Sequence, residues 1–99
     1  MTSFGKLRTS PFQKKVYEVV RKIPKGKVLS YKEVAKLAGK PKAYRLVGSI
    51  LNKNRNSKIP CYRVIKSNRE IGGYRYGTER KATLLKKEGV VIKNWRVVL

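Results

Sequence analysis

The sequence predicts a small, mainly α-helical domain that contains a winged-helix-like helix-turn-helix and ends in a short β-rich tail. Its 99 residues allow one modest hydrophobic core, so we expect a single domain over residues 1–99. Apolar residues recur at three- and four-residue spacing between residues 12 and 51, which is typical of amphipathic helices. A short glycine-containing turn separates two of these helices, and the valine-rich residues 90–99 favour strands.

The first helix is predicted to begin at Ser10 and Pro11. Serine caps a helix through its hydroxyl, and proline suits the first turn because its missing N–H has no partner there anyway. The apolar residues that follow form one stripe: Phe12, Val16, Val19, Val20 and Ile23. This stripe ends near Pro24 and Gly26, and we interpret it as core.

The second and third helices are predicted from a capping box and a proline. Ser30 and Glu33 have the spacing at which each side chain bonds the other residue's backbone N–H, so a helix should begin there. Gly39 ends it, and Pro41 is expected to open a third helix that runs to Leu51. A helix pair of this kind is typical of a helix-turn-helix.

The third helix is predicted to have one buried and one solvent-facing side. The expected buried residues are Ala43, Leu46, Val47, Ile50 and Leu51. The expected solvent-facing residues are Lys42, Tyr44, Arg45, Ser49 and Lys53. Lys42 and Arg45 are therefore candidates for contact with a nucleic-acid groove.

The remaining chain is predicted to contain two loops and a last helix. Residues 52–58 are polar and without pattern, and they lead to Pro60 and Cys61. Residues 71–77 form a loop flanked by glycines. Thr78 is expected to cap the last helix, with Leu84 and Leu85 facing inward and Gly89 following its end.

The charge of the chain indicates a polyanionic partner. Lysine and arginine number 26 against five acidic residues, which gives a net charge of +21. A solvated basic surface is the alternative for any single lysine, but so large an excess binds phosphate backbones by counterion release. A membrane surface is disfavoured because the basic residues are not gathered on one helix.

The cysteine and histidine counts limit the chemistry. With one cysteine and no histidine, the chain cannot form an intramolecular disulfide or a thiolate-rich metal site, and we expect no metal or cofactor. Residues 1–6 lack the apolar core of a secretory signal, and no run approaches the ~18 apolar residues of a membrane span. We therefore expect an intracellular protein of the cytoplasm or nucleoid.

The run from Pro60 to Ile65 resembles the Pro-Cys-His-Arg-Val active-site motif of the O6-alkylguanine-DNA alkyltransferases. Other matching segments follow the order of that family: Ser30-Tyr31, Pro41-Lys42-Ala43 with Arg45 and Val47-Gly48, Asn54, Gly72 to Gly77, and Leu84-Leu85 with Glu88-Gly89. The resemblance covers about residues 10–89 and only the C-terminal, DNA-binding and catalytic domain of the family. In length the chain is similar to the alkyltransferase-like proteins, which bind alkylated DNA without repairing it.

The resemblance implies a monomeric DNA repair protein that binds the minor groove of double-stranded DNA and flips O6-alkylguanine out of the duplex. Arg45 would fill the vacated space, and Tyr31 would donate its phenolic hydrogen to the flipped base. Asn54 would brace the loop of Cys61, whose thiolate would keep the alkyl group permanently, without a cofactor.

Further DNA contacts are expected from Lys42, Tyr44, Ser49 and Arg63. The alkyl pocket is expected to contain Pro60, Tyr74, Arg75 and Tyr76, and the bulk of Arg75 and Tyr76 would narrow it or form a lid.

The chain departs from the family at the residue after the cysteine. The family uses a glutamate–histidine–water–cysteine relay, and here Glu88 stands at the glutamate position while Tyr62 replaces the histidine. A phenol with a pKa of about 10 is a poor base at neutral pH. Arg63, the surrounding basic charge or a helix N-terminus would instead raise the thiolate fraction of Cys61.

Three functions remain open at this stage. The first is a single-turnover methyltransferase with Cys61 as the acceptor, since a protein that only binds has no need of cysteine in that frame. The second is a non-enzymatic sensor that binds O6-alkylguanine and recruits other DNA repair proteins. The third is a general basic DNA-binding protein in which Cys61 is simply a small buried hydrophobic residue.

Overall fold

Within residues 10–99, four helices and two pairs of short strands make up the fold, which confirms the predicted mainly α architecture. The computed structural model describes residues 10–99, so residues 1–6, for which no signal sequence is expected, lie outside the described part. In chain order the elements are α1 (Pro11–Arg21), β1 (Leu29–Ser30), α2 (Tyr31–Leu37), α3 (Tyr44–Lys53), a 3-10 turn (Cys61–Arg63), β2 (Val64–Ile65), α4 (Thr78–Lys87), β3 (Val91–Lys93) and β4 (Arg96–Val98). None of the helices within residues 10–99 is long and apolar enough to cross a membrane.

Helix α1 begins and packs as its sequence predicts. The Ser10 hydroxyl accepts a hydrogen bond from the backbone N–H of Gln13 at 3.0 Å, and Pro11 occupies the first turn. Phe12, Val16 and Val20 are buried on one face, against α2 and α3. The predicted apolar stripe is therefore core.

Helix α2 begins with the predicted capping box. The backbone N–H of Glu33 donates to the Ser30 hydroxyl at 3.0 Å, and the backbone N–H of Ser30 donates to the Glu33 carboxylate at 2.8 Å. Val34 and Ala35 are fully buried beneath α1 and α3. Leu37, by contrast, is 63% exposed at the end of the helix.

Helix α3 begins later than predicted and has a narrower buried face. The backbone N–H of Ala43 donates to the carbonyl of Lys40 at 2.9 Å, so Pro41 lies in a turn and the helix opens at Tyr44 instead. It ends at Lys53, two residues beyond the predicted Leu51. The prediction that Leu46 is buried is wrong, because its side chain is 49% exposed.

The geometry of α3 accounts for the exposure of Leu46. Val47, Ile50 and Leu51 recur at three- and four-residue spacing and define the buried face. Successive residues of an α-helix are rotated by about 100° around its axis, so the residue before Val47 leaves that face. The solvent-facing residues of the prediction, Tyr44, Arg45, Ser49 and Lys53, are exposed.

A first core around α1–α3 and a second core under α4 meet at the β1–β2 pair, where Val64 belongs to the first core and Ile65 to the second. Strands β1 and β2 are parallel, with Leu29 opposite Val64, and they connect the segment before Tyr31 to the segment after Cys61. Strands β3 and β4 form the predicted tail as an antiparallel hairpin. The second core contains Ile65, Ile71, Ala82, Leu85, Val90 and Val97.

Helix α4 differs from its prediction at the first residue. Gly77 is the N-cap residue and Thr78 is already helical, so the expected threonine cap is not formed. Leu85 is fully buried and Leu84 is half-buried. Gly89 follows the helix with a φ of +93°, a left-handed conformation that favours glycine at a helix end.

Candidate active site and nucleic-acid interface

Cys61 is held at the start of the 3-10 turn by the loop that precedes it. The Asn54 side-chain amide donates a hydrogen bond to the Cys61 sulfur at 3.1 Å. Asn54 ends α3, and it also bonds the backbone carbonyl and N–H of Asn56 at 3.1 and 3.0 Å. The same amide thus folds the loop and fixes the half-buried thiol, and the structure brings together two residues that the sequence singled out.

The thiol lies between two cavities that share Leu51, Cys61, Tyr74 and Arg75 as lining residues. The first cavity has a volume of about 330 Å³ and is also lined by Tyr31, Gly48, Ser49, Asn52 and Gly73. The second has a volume of about 310 Å³, and its further walls come from residues 54–57, Ile59, Tyr62, Tyr76, Arg80 and Leu84. Pro60 is buried and lines neither cavity.

Burial raises the pKa of the Cys61 thiol. The hydrogen bond from Asn54 and the positive charge of Lys81 lower that pKa, but they do not outweigh burial. The thiol is therefore mainly protonated at neutral pH. Nearby positive charge thus acts in the expected direction, but it comes from Lys81 and not from Arg63, and the loss of water around the thiolate has the larger effect.

Glu88 is the centre of a buried network that includes Tyr62 and Arg63. The Tyr62 hydroxyl donates to Glu88 Oε2 at 2.6 Å, and Arg63 donates to both carboxylate oxygens at 2.9 and 2.6 Å. Arg63 also donates to the carbonyl of Ile23 at 2.7 Å. The backbone N–H of Gly26, at a φ of +85°, points to the same carboxylate at 3.4 Å.

This network fixes the protonation states of its members. Burial by itself raises the pKa of Glu88, but the hydrogen bonds from Arg63 and Tyr62 hold that pKa below its usual value, so the carboxylate is ionised. Burial and the bond to Glu88 raise the pKa of Tyr62, so the phenol stays neutral. Within residues 10–99 the hydrogen bonds of Tyr62 go to Glu88 and Arg63, and none reaches Cys61. Tyr62 is thus a donor turned toward Glu88.

Lys81 lies next to the site, although sequence analysis did not include it among the site residues. Its side chain is fully buried, and the ammonium donates to the carbonyls of Val64 and Gly73 at 2.7 and 3.1 Å. Burial lowers the pKa of Lys81 to about 8, while the nearby Cys61 acts in the opposite direction. The signal was present in the sequence, since Lys81 shares the buried face of α4 with Ala82 and Leu85.

Tyr31 forms a wall of the first cavity and remains a hydrogen-bond donor. Burial raises the pKa of its phenol, so the hydroxyl keeps its proton across the neutral range. The Lys81 ammonium lies 5.7 Å from the centre of the Tyr31 ring. Gly72 lies close to the same ring: a Cβ there would make an ordinary contact with the ring at 3.7 Å and a tight one with Lys66 at 3.2 Å.

The exposed face of α3 leads directly into the first cavity. Gly48 and Ser49 line this cavity, and Arg45 is exposed one helical turn earlier on the same side of the helix. Tyr44 is exposed beside it, with the Lys32 ammonium 5.3 Å from its ring centre. Lys42 is exposed in the turn before the helix. Of these predicted DNA-contacting residues, Ser49 lines the first cavity, whereas Lys42, Tyr44 and Arg45 are exposed but do not line it.

The loop 71–77 closes the site from the opposite side. Tyr74 packs edge-on against Tyr62 and Tyr76, with ring centres 6.3 and 5.4 Å apart. The Arg75 guanidinium donates to the carbonyl of Asn52 at 2.9 Å and so bridges this loop to α3. Among the described residues, no group of three or more histidine, cysteine, aspartate or glutamate side chains is arranged to hold a metal ion.

A family description, the DNA-binding domain of 6-O-methylguanine DNA methyltransferase, matches residues 11–90. The chain belongs to this family. Its members include the bifunctional transcriptional activator and DNA repair enzyme Ada of Escherichia coli, which is 42% identical over 83 residues, covering 83% of this chain and 23% of that protein. The methylated-DNA–protein-cysteine methyltransferase of Kluyveromyces lactis is 44% identical over 81 residues, covering 81% of this chain and 43% of that protein.

Solved structures of the family share the fold. The Mycobacterium tuberculosis methyltransferase in complex with DNA has a TM-score of 0.78 and 37% identity, covering 83% of this chain and 51% of that one. An alkyltransferase-like protein of S. pombe, in complex with damaged DNA containing O6-carboxymethylguanine, has a TM-score of 0.76 and 36% identity, covering 83% of this chain and 79% of that one. This chain thus spans less than half the length of the two curated methyltransferase-family relatives compared above.

Proposed function

We propose that this chain repairs DNA by flipping O6-alkylguanine out of the duplex and transferring the alkyl group irreversibly to Cys61 in a single turnover. The observation that carries the proposal is the position of the thiol. It opens between two cavities, accepts a hydrogen bond from Asn54, and faces the same cavity as the neutral phenol of Tyr31. A half-buried thiol between two cavities is the arrangement that a nucleophile needs, and a purely binding protein has no use for it.

DNA would dock on the exposed face of α3, with the minor groove against the helix. The net charge of +21 supplies sequence-independent affinity for phosphates, to which Lys42, Tyr44 and Ser49 would contribute contacts. Arg45 would occupy the space left by the flipped base. Arg63 would take no part in this contact with DNA, because its guanidinium is bound to Glu88 and Ile23.

The chemical step would exchange one bond for another. The sulfur of Cys61 attacks the alkyl carbon, an S–C bond forms, and the bond between that carbon and O6 breaks with its electron pair going to guanine. The hydrogen bond from Tyr31 stabilises the charge that develops on the leaving base. The thiol proton passes through water to the guanine, so no cofactor is consumed. Flipping is required because the alkyl carbon cannot be approached in line inside the base stack.

A lesion sensor that does not transfer the alkyl group is the second candidate function. Tyr62 is bound to Glu88 and the pKa of Cys61 is raised, so the thiol lacks an evident base within residues 10–99. Such a protein would hold the flipped base in the first cavity and recruit other DNA repair proteins. Removing the sulfur of Cys61 would leave its affinity for damaged duplex unchanged.

Intact-mass spectrometry after incubation with an O6-methylguanine duplex separates the two candidates. Repair predicts that the mass of the protein rises by one methyl group and that the modification maps to Cys61. The Cys61→Ser variant should show no increase, because a neutral hydroxyl is a much weaker nucleophile than a thiolate. If the mass stays unchanged while the damaged duplex binds more tightly than an undamaged one, the sensor is supported. If the mass stays unchanged and both duplexes bind equally, both proposals are contradicted.

Arg45→Ala is expected to reduce the preference for damaged over undamaged duplex by about tenfold, while affinity for undamaged duplex falls less. The reason is that Arg45 would act on the flipped state, whereas most affinity comes from phosphate contacts. Lys15→Ala on the exposed side of α1 is the matched control, and it should leave the preference unchanged. Fluorescence anisotropy with both duplexes at two salt concentrations measures these effects. An equal loss of preference in both variants would show that Arg45 does not replace the base.

A further inference from the structure

A third cavity has lining residues different from those of the two cavities at Cys61. It has a volume of about 380 Å³ and lies where the end of α1, the segment that follows and strand β1 meet the end of α2. Its apolar walls are Val19, Ile23, Pro24, Val28, Leu29 and Leu37, and its other lining residues are Lys22 and Lys27. We call this cavity the α1–β1 groove.

The α1–β1 groove presents apolar surface that the fold leaves open to water. Leu37 is 63% exposed, and Val19, Val28 and Leu29 are only partly buried. A single exposed leucine is ordinary, but several apolar side chains around one concave surface are typical of an interaction site. A partner that covers the groove would remove this surface from water.

The segment that forms the groove is positively charged. Residues 19–29 contain four basic side chains and no acidic one. The basic residues are Arg21, Lys22, Lys25 and Lys27, and all four are exposed. The ion pairs within residues 10–99 use Arg63, Lys66 and Arg96, and so none of these four cations. The groove therefore favours a partner that carries carboxylates or phosphates.

An amphipathic helix fits this combination better than a nucleic acid does. Phosphates bind cations but gain nothing from apolar walls, and nucleic-acid bases stack on aromatic rings, whereas the apolar walls of the groove are aliphatic. A helix places apolar side chains on one face at three- and four-residue spacing and carries charges on its other faces. Acidic residues on those faces would match the lysines of the groove.

The α1–β1 groove is connected to the reactive site by backbone contacts. The carbonyl of Ile23 accepts a hydrogen bond from Arg63 at 2.7 Å. Leu29 is paired with Val64 in the parallel strands. Arg63 ends the 3-10 turn that begins at Cys61, and Val64 follows it. A partner in the groove would thus be held close to the lesion site without occupying it.

We propose that the α1–β1 groove binds an acidic amphipathic helix of another protein while the chain is bound to DNA. Leucine-type side chains of that helix would cover Val19, Leu29 and Leu37, and its carboxylates would face Lys22 and Lys27. The inference goes beyond the proposed function, since it holds whether or not the alkyl group is transferred. It also provides a surface for the recruitment that the second candidate function requires.

The test uses a synthetic acidic helix with defined faces. The probe is a fluorescein-labelled peptide with leucines at the i, i+3, i+4 and i+7 positions and glutamates on its other faces. The control peptide has the same composition, but its leucines are spread around the helix. Fluorescence anisotropy measures the binding of each peptide to the full chain at physiological salt, which screens non-specific attraction. We expect the probe to bind about tenfold more tightly than the control peptide, because only its leucines can enter the groove together.

Two variants with matched controls locate the binding surface. Leu37→Ser should weaken binding of the probe about tenfold, whereas Leu46→Ser, which changes an exposed leucine of α3, should leave it unchanged. Lys22→Glu should weaken it about fivefold, because the change replaces an attraction by a repulsion. Lys15→Glu makes the same charge change at an exposed position of α1 outside the groove and should have much less effect. Melting temperatures close to that of the natural chain verify that each variant is folded.

The competing explanations give different results. Equal binding of the two peptides, or equal losses in Leu37→Ser and Leu46→Ser, would show that charge alone attracts the probe, and the inference would be wrong. An undamaged duplex added to the peptide complex should join it without displacing the probe. Displacement would show that the groove binds DNA phosphates instead, which also overturns the inference. Failure of alkyl transfer or of lesion preference would change none of these readouts, so it is distinguishable from failure of the groove to bind the probe.

Discussion

Replacing Tyr62 by histidine is expected to accelerate methyl transfer to Cys61 by about 10²-fold, the lower end of what a general base contributes. In the present structure the hydroxyl of Tyr62 donates to Glu88 at 2.6 Å and its pKa is raised, so it cannot accept a proton from the thiol. An imidazole at this position would donate one N–H to Glu88. Its second nitrogen would then be free to take up the thiol proton, directly or through water.

The pH profile of the reaction gives a second readout of the same change. Because burial raises the pKa of Cys61, the rate of the natural chain should keep rising with pH beyond the ordinary range of a thiol. The Tyr62→His variant should instead level off once its imidazole is neutral, above about pH 6.5. Single-turnover kinetics followed by intact mass measure both profiles.

Tyr62→Phe is the matched control for this prediction. It removes the hydroxyl that bonds Glu88 but supplies no base, so its transfer rate should stay within a few-fold of that of the natural chain. Equal acceleration in the phenylalanine and histidine variants would mean that release of Glu88, and not base catalysis, limits the rate. If neither variant reacts faster, the lack of a general base at position 62 is not what limits the rate of transfer.

Local signals in the sequence predicted most of the fold because they act within a few residues. The capping box of Ser30 and Glu33 and the cap at Ser10 form as expected, since each needs only a side chain and an N–H three residues away. The start of α3 was misplaced because a turn closed by Lys40 and Ala43 competes with the helix-start preference of Pro41. Nothing in the local pattern ranks these two options.

The site was harder to predict because its partners are distant in the chain. Cys61 and Asn54 are only seven residues apart in the chain, and the sequence analysis named both as site residues. The pairing of Arg63 with Glu88 spans 25 residues, and a sequence with 26 basic residues does not show which cation meets which of five acids. The sequence therefore predicts that Arg63 binds DNA, although its guanidinium is held by hydrogen bonds within the protein.

Lys81→Met is expected to lower the free energy of unfolding by about 1–3 kcal/mol, the cost of leaving buried backbone carbonyls without donors. The Lys81 ammonium bonds the carbonyls of Val64 and Gly73, which ties β2 to the loop 71–77. Methionine fills a similar volume without a donor, so the loop that carries Tyr74 and Arg75 should loosen. Lys86→Met, on the exposed side of the same helix, should change the stability little.

The destabilisation by Lys81→Met should depend on pH in a defined direction. Lys81 has a pKa of about 8 in the folded chain against an ordinary value of 10.5, so the folded state loses this proton first as the pH rises. The stability that Lys81 contributes therefore increases between these two pH values, because the neutral amine keeps its hydrogen bonds without the cost of a buried charge. Urea denaturation at pH 7 and pH 9.5 should show a larger difference between natural chain and variant at the higher pH. A difference that is independent of pH would mean that Lys81 titrates normally and that its burial does not disfavour its charge.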